Sequence, residues 1–381
     1  MIFTKIYNYN LIIYKIMINI KRFNSYKFQD LKSNSFRPCM TLNHKNEIID
    51  NLSDIILTKK ELNEMRRSAE CHKLVRRDLH SILRPGVKAI DVCEFIENKI
   101  CEHYGKNDLT RGIGFPVGLS INDCAAHDTA KPNDSRIIGA NDIVKIDFGT
   151  HSNGFITDSA FTVCFNPEYL NLLKATEEAT WTGIRNAGVD VYMNDLSKLI
   201  KEVIESYEIE IKGKTYGIKS ICNLGGHNIE PYKIHGGELI LCGPSDNPII
   251  KNMRMKSGCY AIETFASTQS NEVFGVDNIN ETDLYMLKED IPRTQPLKFE
   301  ISKKILFDIK KNRRTLPFCS RWLNKDYGPR YKIGMKELYD NGYINIYPPL
   351  MDKNKGLTSQ LEHTIYVHDY GKEILSYSND Y

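Results

Sequence analysis

The hydrophobic pattern changes period several times along the chain. Residues 59–83, KKELNEMRRSAECHKLVRRDLHSIL, place Leu62, Met65, Ala69, Val75, Leu79 and Ile82 at helical spacing, which predicts an amphipathic helix. Pro85-Gly86 stops it. Residues 142–163, DIVKIDFGTHSNGFITDSAFTV, read as two β-branched apolar runs around a turn-forming centre, GTHSNG, the pattern of a β-hairpin. Folding it midway between Ser152 and Asn153 sets Phe148 opposite Thr157 and Asp147 opposite Asp158. Strand-like runs cover 142–148, 155–164, 259–265 and 361–367. From roughly 283 to 346 the segments LKFEISKKILFDIKKN and GMKELYDNGY look helical and polar-faced, as an inserted helical subdomain would; YINIYPPL (343–350) then returns to extended chain.

Two helical segments resemble each other. DVCEFIENKI (91–100) and DLSKLIKEVI (195–204) share the pattern D-[V/L]-x-x-[F/L]-I-x-x-x-I, and each follows a Gly-Val pair, Gly86-Val87 or Gly188-Val189. Either two unrelated amphipathic helices coincide, or the chain carries an internal duplication. In the second case two related halves cover a shared sheet, with a site between them.

Composition narrows the class. The chain has 381 residues, 41% of them hydrophobic and 26% charged, with a net charge of +3. That is the balance of a globular protein and leaves no strongly basic footprint for nucleic acid. Ten cysteines contain no C-x-x-C pair, so they read as reduced, small buried hydrophobes of a cytoplasmic protein. The first 29 residues hold five basic and no acidic side chains among many Ile, Asn and Tyr. Lys15 and several Asn interrupt any membrane span, which needs about 20 apolar residues. Residues 1–57 are therefore set aside as a poorly ordered amino-terminal extension. An organelle leader, or upstream sequence ahead of a true start at Met40, are the other readings.

Four carboxylates stand where a core is expected. Asp147 (VKIDFG), Asp158 (FITDSA), Glu263 (YAIETF) and Glu362 (SQLEHTI) lie inside apolar strands, although acidic groups are almost never fully buried unless paired. Like charges opposed across a hairpin also destabilise it. Lys145 shares a face with Asp147 but supplies one charge only. Divalent cations resolve the difficulty, since facing carboxylates can bridge two ions roughly 3.5–4 Å apart. NLGGHNIEPYKIH (223–235) offers His227 and His235, and CAAHDTA (124–130) offers His127, as nitrogen ligands or acid–base partners. The remaining histidines, 44, 72, 80, 103, 151, 363 and 368, read as structural.

In order, GFPVGLSINDCAAHDT, KIDFGTHSNGFITD, GGHNIEPYKIH, YAIETF and LEHT resemble the type 2 methionine aminopeptidases, over about residues 58–381. The resemblance implies an α/β (α+β) architecture, the pseudo-twofold pita-bread fold shared with prolidase and creatinase: a curved antiparallel sheet covered by helices. It implies a dinuclear aminopeptidase that removes the initiator methionine before a small second residue. Asp147 would chelate one divalent ion (Mn, Fe, Co or Zn), Asp158 and Glu362 would bridge two, and His227 and Glu263 would complete the coordination of the second ion. Glu263 would also shuttle the proton. His127 would contact the substrate backbone and be the residue that fumagillin-type epoxides alkylate, while His235 would bond the scissile carbonyl. Phe115, Ile234 and Tyr347 match positions lining the methionine pocket.

The chain departs from the family at Gly225, often asparagine; at Pro317, often alanine; and at Leu284, a histidine in some relatives. It also lacks the Lys-rich tract of animal members, which weakens any expected ribosome association. Nascent polypeptide termini are the expected partners of a monomer, with neither nucleic acid nor membrane. The competing readings are a non-catalytic pita-bread binding protein and a peptidase like prolidase or aminopeptidase P.

Overall fold

A computed structural model describes residues 27–38, 40–48, 59–291 and 296–380. Most of the segment set aside as an extension, 1–26, 39 and 49–57, lies outside these residues. The rest of it does not behave as a loose tail. Phe36 is buried, its carbonyl accepts from Arg66 Nη1 at 3.0 Å, and Thr41–Leu42 (β1) pairs with the sheet.

The helices are α1 (Lys59–Leu79), α2 (Ala89–Tyr104), α3 (Leu170–Asn186), α4 (Met193–Glu205), α5 (Glu300–Asn312), α6 (Ser320–Tyr327) and α7 (Tyr331–Asp340). The strands that matter here continue with β2 (Arg111–Ile121), β3 (Cys124–Ala126), β4 (Ile143–Ser152), β5 (Phe155–Cys164), β6 (Gly225–Ile229), β7 (Leu239–Leu241) and β8 (Gly258–Ser267). After them come β9 (Val273–Phe274), β10 (Leu284–Leu287), β11 (Phe318–Cys319), β12 (Ile344–Ile346), β13 (Leu350–Asp352), β14 (Thr358–His368) and β15 (Gly371–Ile374). Two antiparallel sheets carry the architecture. One runs β2-β4-β5; the other runs β1-β15-β14-β8-β6-β7.

The predicted hairpin is β4–β5, but its register differs from the expected one by two residues. Ser152 pairs with Phe155, so Asp158 faces Gly149 and Asp147 faces Ala160. The cause is the turn. Asn153 (φ 49°) and Gly154 (φ 84°) both adopt positive φ, as a two-residue type I′ hairpin turn requires, whereas Thr150, His151 and Ser152 belong to the strand. A shift of two preserves the face. Both aspartates still project to the same side, on a diagonal instead of directly opposed.

No backbone ladder joins β5 to β14, where the two sheets meet. Side-chain hydroxyls bridge them: Ser159 Oγ donates to the Glu362 carbonyl at 2.7 Å and Thr162 Oγ1 to the Gln360 carbonyl at 2.7 Å. Thr162 Oγ1 also accepts from Gln360 N at 2.8 Å, and Thr364 Oγ1 accepts from Asp158 N at 2.8 Å. Ser and Thr here do the work of ladder partners for groups that could not stay unpaired in a buried seam.

Each sheet is backed by a helix pair. α1 and α2 cover β2, β4 and β5, while α3 and α4 cover β8, β14 and β7. The repeated sequence pattern falls on α2 and α4, and its apolar positions Val92, Ile96 and Ile100 are buried like Leu196, Ile200 and Ile204. α1 buries more than its apolar stripe. Arg66, Glu70, Lys73 and Arg76 are also enclosed, with Arg66 paired to Glu373 at 2.8 Å, Lys73 to Glu70 at 3.0 Å and Arg76 to Asp380 at 2.8 Å. Such pairing is what permits charges in a core.

Between 283 and 346, helices α5, α6 and α7 form with the small sheet β11-β10-β12. Ile305, Ile309, Leu323, Met335 and Leu338 pack there in a cluster of their own. Among the described residues no helix is long and apolar enough to cross a membrane.

Candidate metal centre

All four anomalous carboxylates meet at the seam. β4 and β5 bring Asp147 and Asp158. β8 and β14 bring Glu263 and Glu362 as a direct cross-strand pair. β6, paired through His227↔Ala261, adds the imidazole. Ligand atoms of Asp158, His227 and Glu362 lie within 4.8 Å of one another, and so do those of Asp147, Glu263 and Glu362. Glu362 belongs to both groups, the placement a bridging ligand needs. In the second group Glu263 stands beside Asp147, whereas the family pattern sets it beside His227.

These carboxylates lack the partners that burial demands. Asp147 Oδ1, Asp158 Oδ1 and Glu362 Oε2 are buried with no hydrogen bond. Among the described residues no Lys or Arg forms an ion pair with any of the four, and His227 Nε2 lies 3.5 Å from Asp158 Oδ2. Lys145, the cation on the same face, donates to the Asn122 carbonyl at 2.9 Å instead. Burial pushes the Asp147 carboxyl up to about 6. Burial, then the neighbouring carboxylates, hold Asp158, Glu263 and Glu362 well above the usual carboxylate range. Oxygen-rich donors crowded this closely, with one neutral nitrogen, fit a divalent cation.

The histidines are tuned to stay neutral. Burial lowers His227 well below its ordinary value, and His227 Nδ1 donates to the Asn228 carbonyl at 3.3 Å. That fixes the tautomer with the Nε2 lone pair towards the carboxylates, as a metal ligand requires. His127 and His235 are each brought down to about 4, chiefly by burial. The rings form a chain: His227 to His235 at 4.4 Å, His235 to Tyr347 at 6.2 Å and Tyr347 to His127 at 5.7 Å. His127 directly follows β3 in the left-handed region (φ 64°), sparsely populated backbone of the kind concentrated at functional sites.

Apolar side chains of one core group lie on the same elements. Phe115 packs against the core group that contains Ile234 and Leu316, with Met286 at its edge. The Tyr347 hydroxyl reaches Met286 Sδ at 3.8 Å, which ties Tyr347 to the edge of that group. Leu284 serves through its backbone, its carbonyl accepting from Tyr347 N at 3.0 Å. Gly225 is tightly enclosed, since a Cβ there would stand 2.2 Å from the Ile240 carbonyl.

One residue at the site was missed from sequence. Gln360 Nε2 donates to Glu263 Oε1 at 2.6 Å and to Asp147 Oδ2 at 3.3 Å. Its position two residues before Glu362, on the same strand face, is the signal that points to it. The histidines read as structural include His72, which bonds the Phe148 carbonyl at 2.9 Å and stacks on the Phe148 ring at 3.9 Å.

A hairpin and a cross-strand pair that converge four crowded carboxylates and a neutral imidazole define a metallohydrolase centre. Residues 63–277 match the model of metallopeptidase family M24. Methionine aminopeptidase 2 of Komagataella phaffii is 41% identical over 325 residues, covering 84% of this chain and 70% of the relative. That of Saccharomyces cerevisiae is 40% identical over 330 residues, covering 84% and 76%. Among solved structures a thermophilic Arx1 shares the fold at TM-score 0.69 and 20% identity, covering 84% of this chain and 91% of that one. A methionine aminopeptidase from Thermotoga maritima does so at 0.55 and 18%, covering 84% and 98%. The chain belongs to metallopeptidase family M24 and, within it, to the type 2 methionine aminopeptidases. It is a metal-dependent aminopeptidase that removes initiator methionine.

Proposed function

We propose that two divalent ions of the Mn, Fe, Co or Zn class are held by Asp147, Asp158, His227, Glu263 and Glu362. In this reading the enzyme acts as a monomer in the cytoplasm on nascent termini whose second residue is small. The observation that carries it is the shared place of Glu362 in both groups of ligand atoms. Bound divalent ions supply Lewis acidity and lower the pKa of a coordinated water, from 15.7 to about 7 for a favourable zinc.

The side chains divide the rest of the work. Glu263, its Oε1 occupied by Gln360, keeps Oε2 to take the proton of the attacking water and pass it to the leaving amine, worth about 10²–10⁴-fold. His235, neutral through burial, donates an N–H to the scissile carbonyl, a contribution of roughly 3–4 kcal/mol. His127, across the Tyr347 ring, orients the substrate backbone. Phe115, Ile234 and Tyr347 receive the unbranched methionine side chain. A missing methylene costs only about 1–3 kcal/mol, so larger second residues are rejected by steric exclusion.

The test is methionine release from Met-Ala-Ser, Ala-Pro and Xaa-Pro-Yaa peptides by metal-depleted protein titrated anaerobically with each ion. Only Met-Ala-Ser should be cleaved, activity should saturate near two equivalents, and acetyl-Met-Ala-Ser should be inert. Glu263→Gln should lower kcat by about 10²–10⁴-fold. Saturation at one equivalent, or undiminished turnover in chelator, overturns the assignment.

A further inference from the structure

Phe115 sits between two irregularities of β2. Ile113 pairs with Thr150 and Phe115 with Gly149, so Gly114 is an extra residue; a second shift follows before Gly118, which pairs with Asp147. Bulges re-aim a side chain and leave ladder groups unpaired. The ring leans over Gly149, where a Cβ would stand 2.2 Å from Phe115 Cε1.

The carbonyls around the first bulge are taken up from outside the sheet. Arg313 Nη1 donates to the Ile113 carbonyl at 3.1 Å. Its Nη2 donates to the Gly114 carbonyl at 3.4 Å and to the Pro317 carbonyl at 2.8 Å. Arg313 directly follows α5, and its guanidinium lies 4.9 Å over the Trp322 ring on α6. Trp322 Nε1 is anchored by Glu97 Oε2 on α2 at 2.8 Å. Behind β2 these residues line a cleft of about 610 Å³ between α2 and α5–α6.

We propose that Arg313 is a positioning residue of the methionine pocket, its planar fork clamping the Ile113–Gly114 bulge and the Pro317 carbonyl into one frame and so setting Phe115 against Gly149. A guanidinium suits this task because its donors diverge in a fixed plane, which a lysine ammonium cannot reproduce. The helical segment 300–327 thereby helps decide which side chain is accepted. The proposal rests on the reading that Phe115 lines the methionine pocket.

Steady-state kinetics on Met-Ala-Ser, norleucine-Ala-Ser and Leu-Ala-Ser test it in metal-loaded enzyme, using Arg313→Ala, Arg313→Lys and, as a control on the pocket, Phe115→Ala. Arg313→Ala should raise KM for Met-Ala-Ser with little change in kcat, and lower the Met-to-Leu ratio of kcat/KM by roughly 10-fold, the scale of a one-methylene misfit. Guanidinium chloride at low millimolar concentration, entering by the cleft, should restore the ratio; a merely structural role would not respond. Should Arg313→Ala fail to fold, Arg313→Lys is expected to show a smaller fall of the same ratio. Wild-type ratio and KM in the Arg313 variants, with the ratio lost in Phe115→Ala, overturns the clamp alone. An unchanged ratio in Phe115→Ala overturns the pocket reading and the clamp with it.

Discussion

Asp158→Asn separates a metal centre from a structural cluster. In metal-free protein the Asp158 carboxyl sits in burial and beside Asp147, which holds it well above the usual carboxylate range; the unfolded chain releases that proton near 3.8. A group whose folded value is raised contributes its full stability below the unfolded value and loses it as pH climbs towards the folded one. At roughly 1.4 kcal/mol per pH unit, holding this one proton costs the metal-free fold more with every unit climbed between the unfolded and the folded value. Asparagine has the shape of the protonated acid and cannot titrate. In chelator the variant should therefore match wild type near pH 4 and exceed it increasingly from pH 4 to 6. That gain is read as a Tm of the variant that rises above the wild-type Tm as pH climbs.

Saturating metal should reverse the order. Wild type gains about 4 kcal/mol at a thousand times Kd, while the variant, short of one carboxylate oxygen, should gain far less and lose more than about 100-fold in methionine release. Thermal melts at pH 4, 5 and 6 with and without metal, beside the peptide assay, read all of this. An asparagine variant that is equally destabilised at every pH in chelator would show that the carboxylates are not a cation-neutralised cluster.

Two other substitutions probe what holds the site in place. Gly225→Asn adds a Cβ that would press on the Ile240 carbonyl at 2.2 Å; we expect lower Tm and weaker metal binding, measured by calorimetric titration, and an unchanged Tm would show that β7 yields freely. Arg66→Met leaves Glu373 buried without its partner, at a cost of about 3–5 kcal/mol. Denaturant unfolding should show that loss at neutral pH, with kcat on Met-Ala-Ser preserved at low temperature.

The parts of the molecule legible in the sequence are those where local pattern and chemistry agree. The β4–β5 hairpin announces itself through alternating apolar residues, and the four carboxylates stand out because nothing in an apolar strand explains them. The register slips because GTHSNG reads as turn throughout, although Thr150 to Ser152 can equally be strand and only Asn153-Gly154 demands positive φ. The two-residue error preserved the face, so the metal reading survived it. The charged face of α1 was not legible: Arg66 and Arg76 look solvent-directed until Glu373 and Asp380, some 300 positions away, are brought to them. Gln360 and the hydroxyls of Ser159, Thr162 and Thr364 were passed over for the same reason. In a strand a polar residue is ordinary, and only the meeting of two sheets gives it a task.

The hydroxyl seam also sets when in its own synthesis the enzyme can begin to work. Ser159 and Glu362 meet across 203 positions of sequence. A growing chain that has emerged through β8 already carries Asp147, Asp158, His227 and Glu263, yet has no β14 for Ser159 and Thr162 to grip and no Glu362. Until that strand leaves the ribosome, the crowded carboxylates have neither the wall that orients them nor the cation that reconciles them. A half-made copy is therefore silent, and trimming of nascent chains falls to molecules whose own translation has already passed β14.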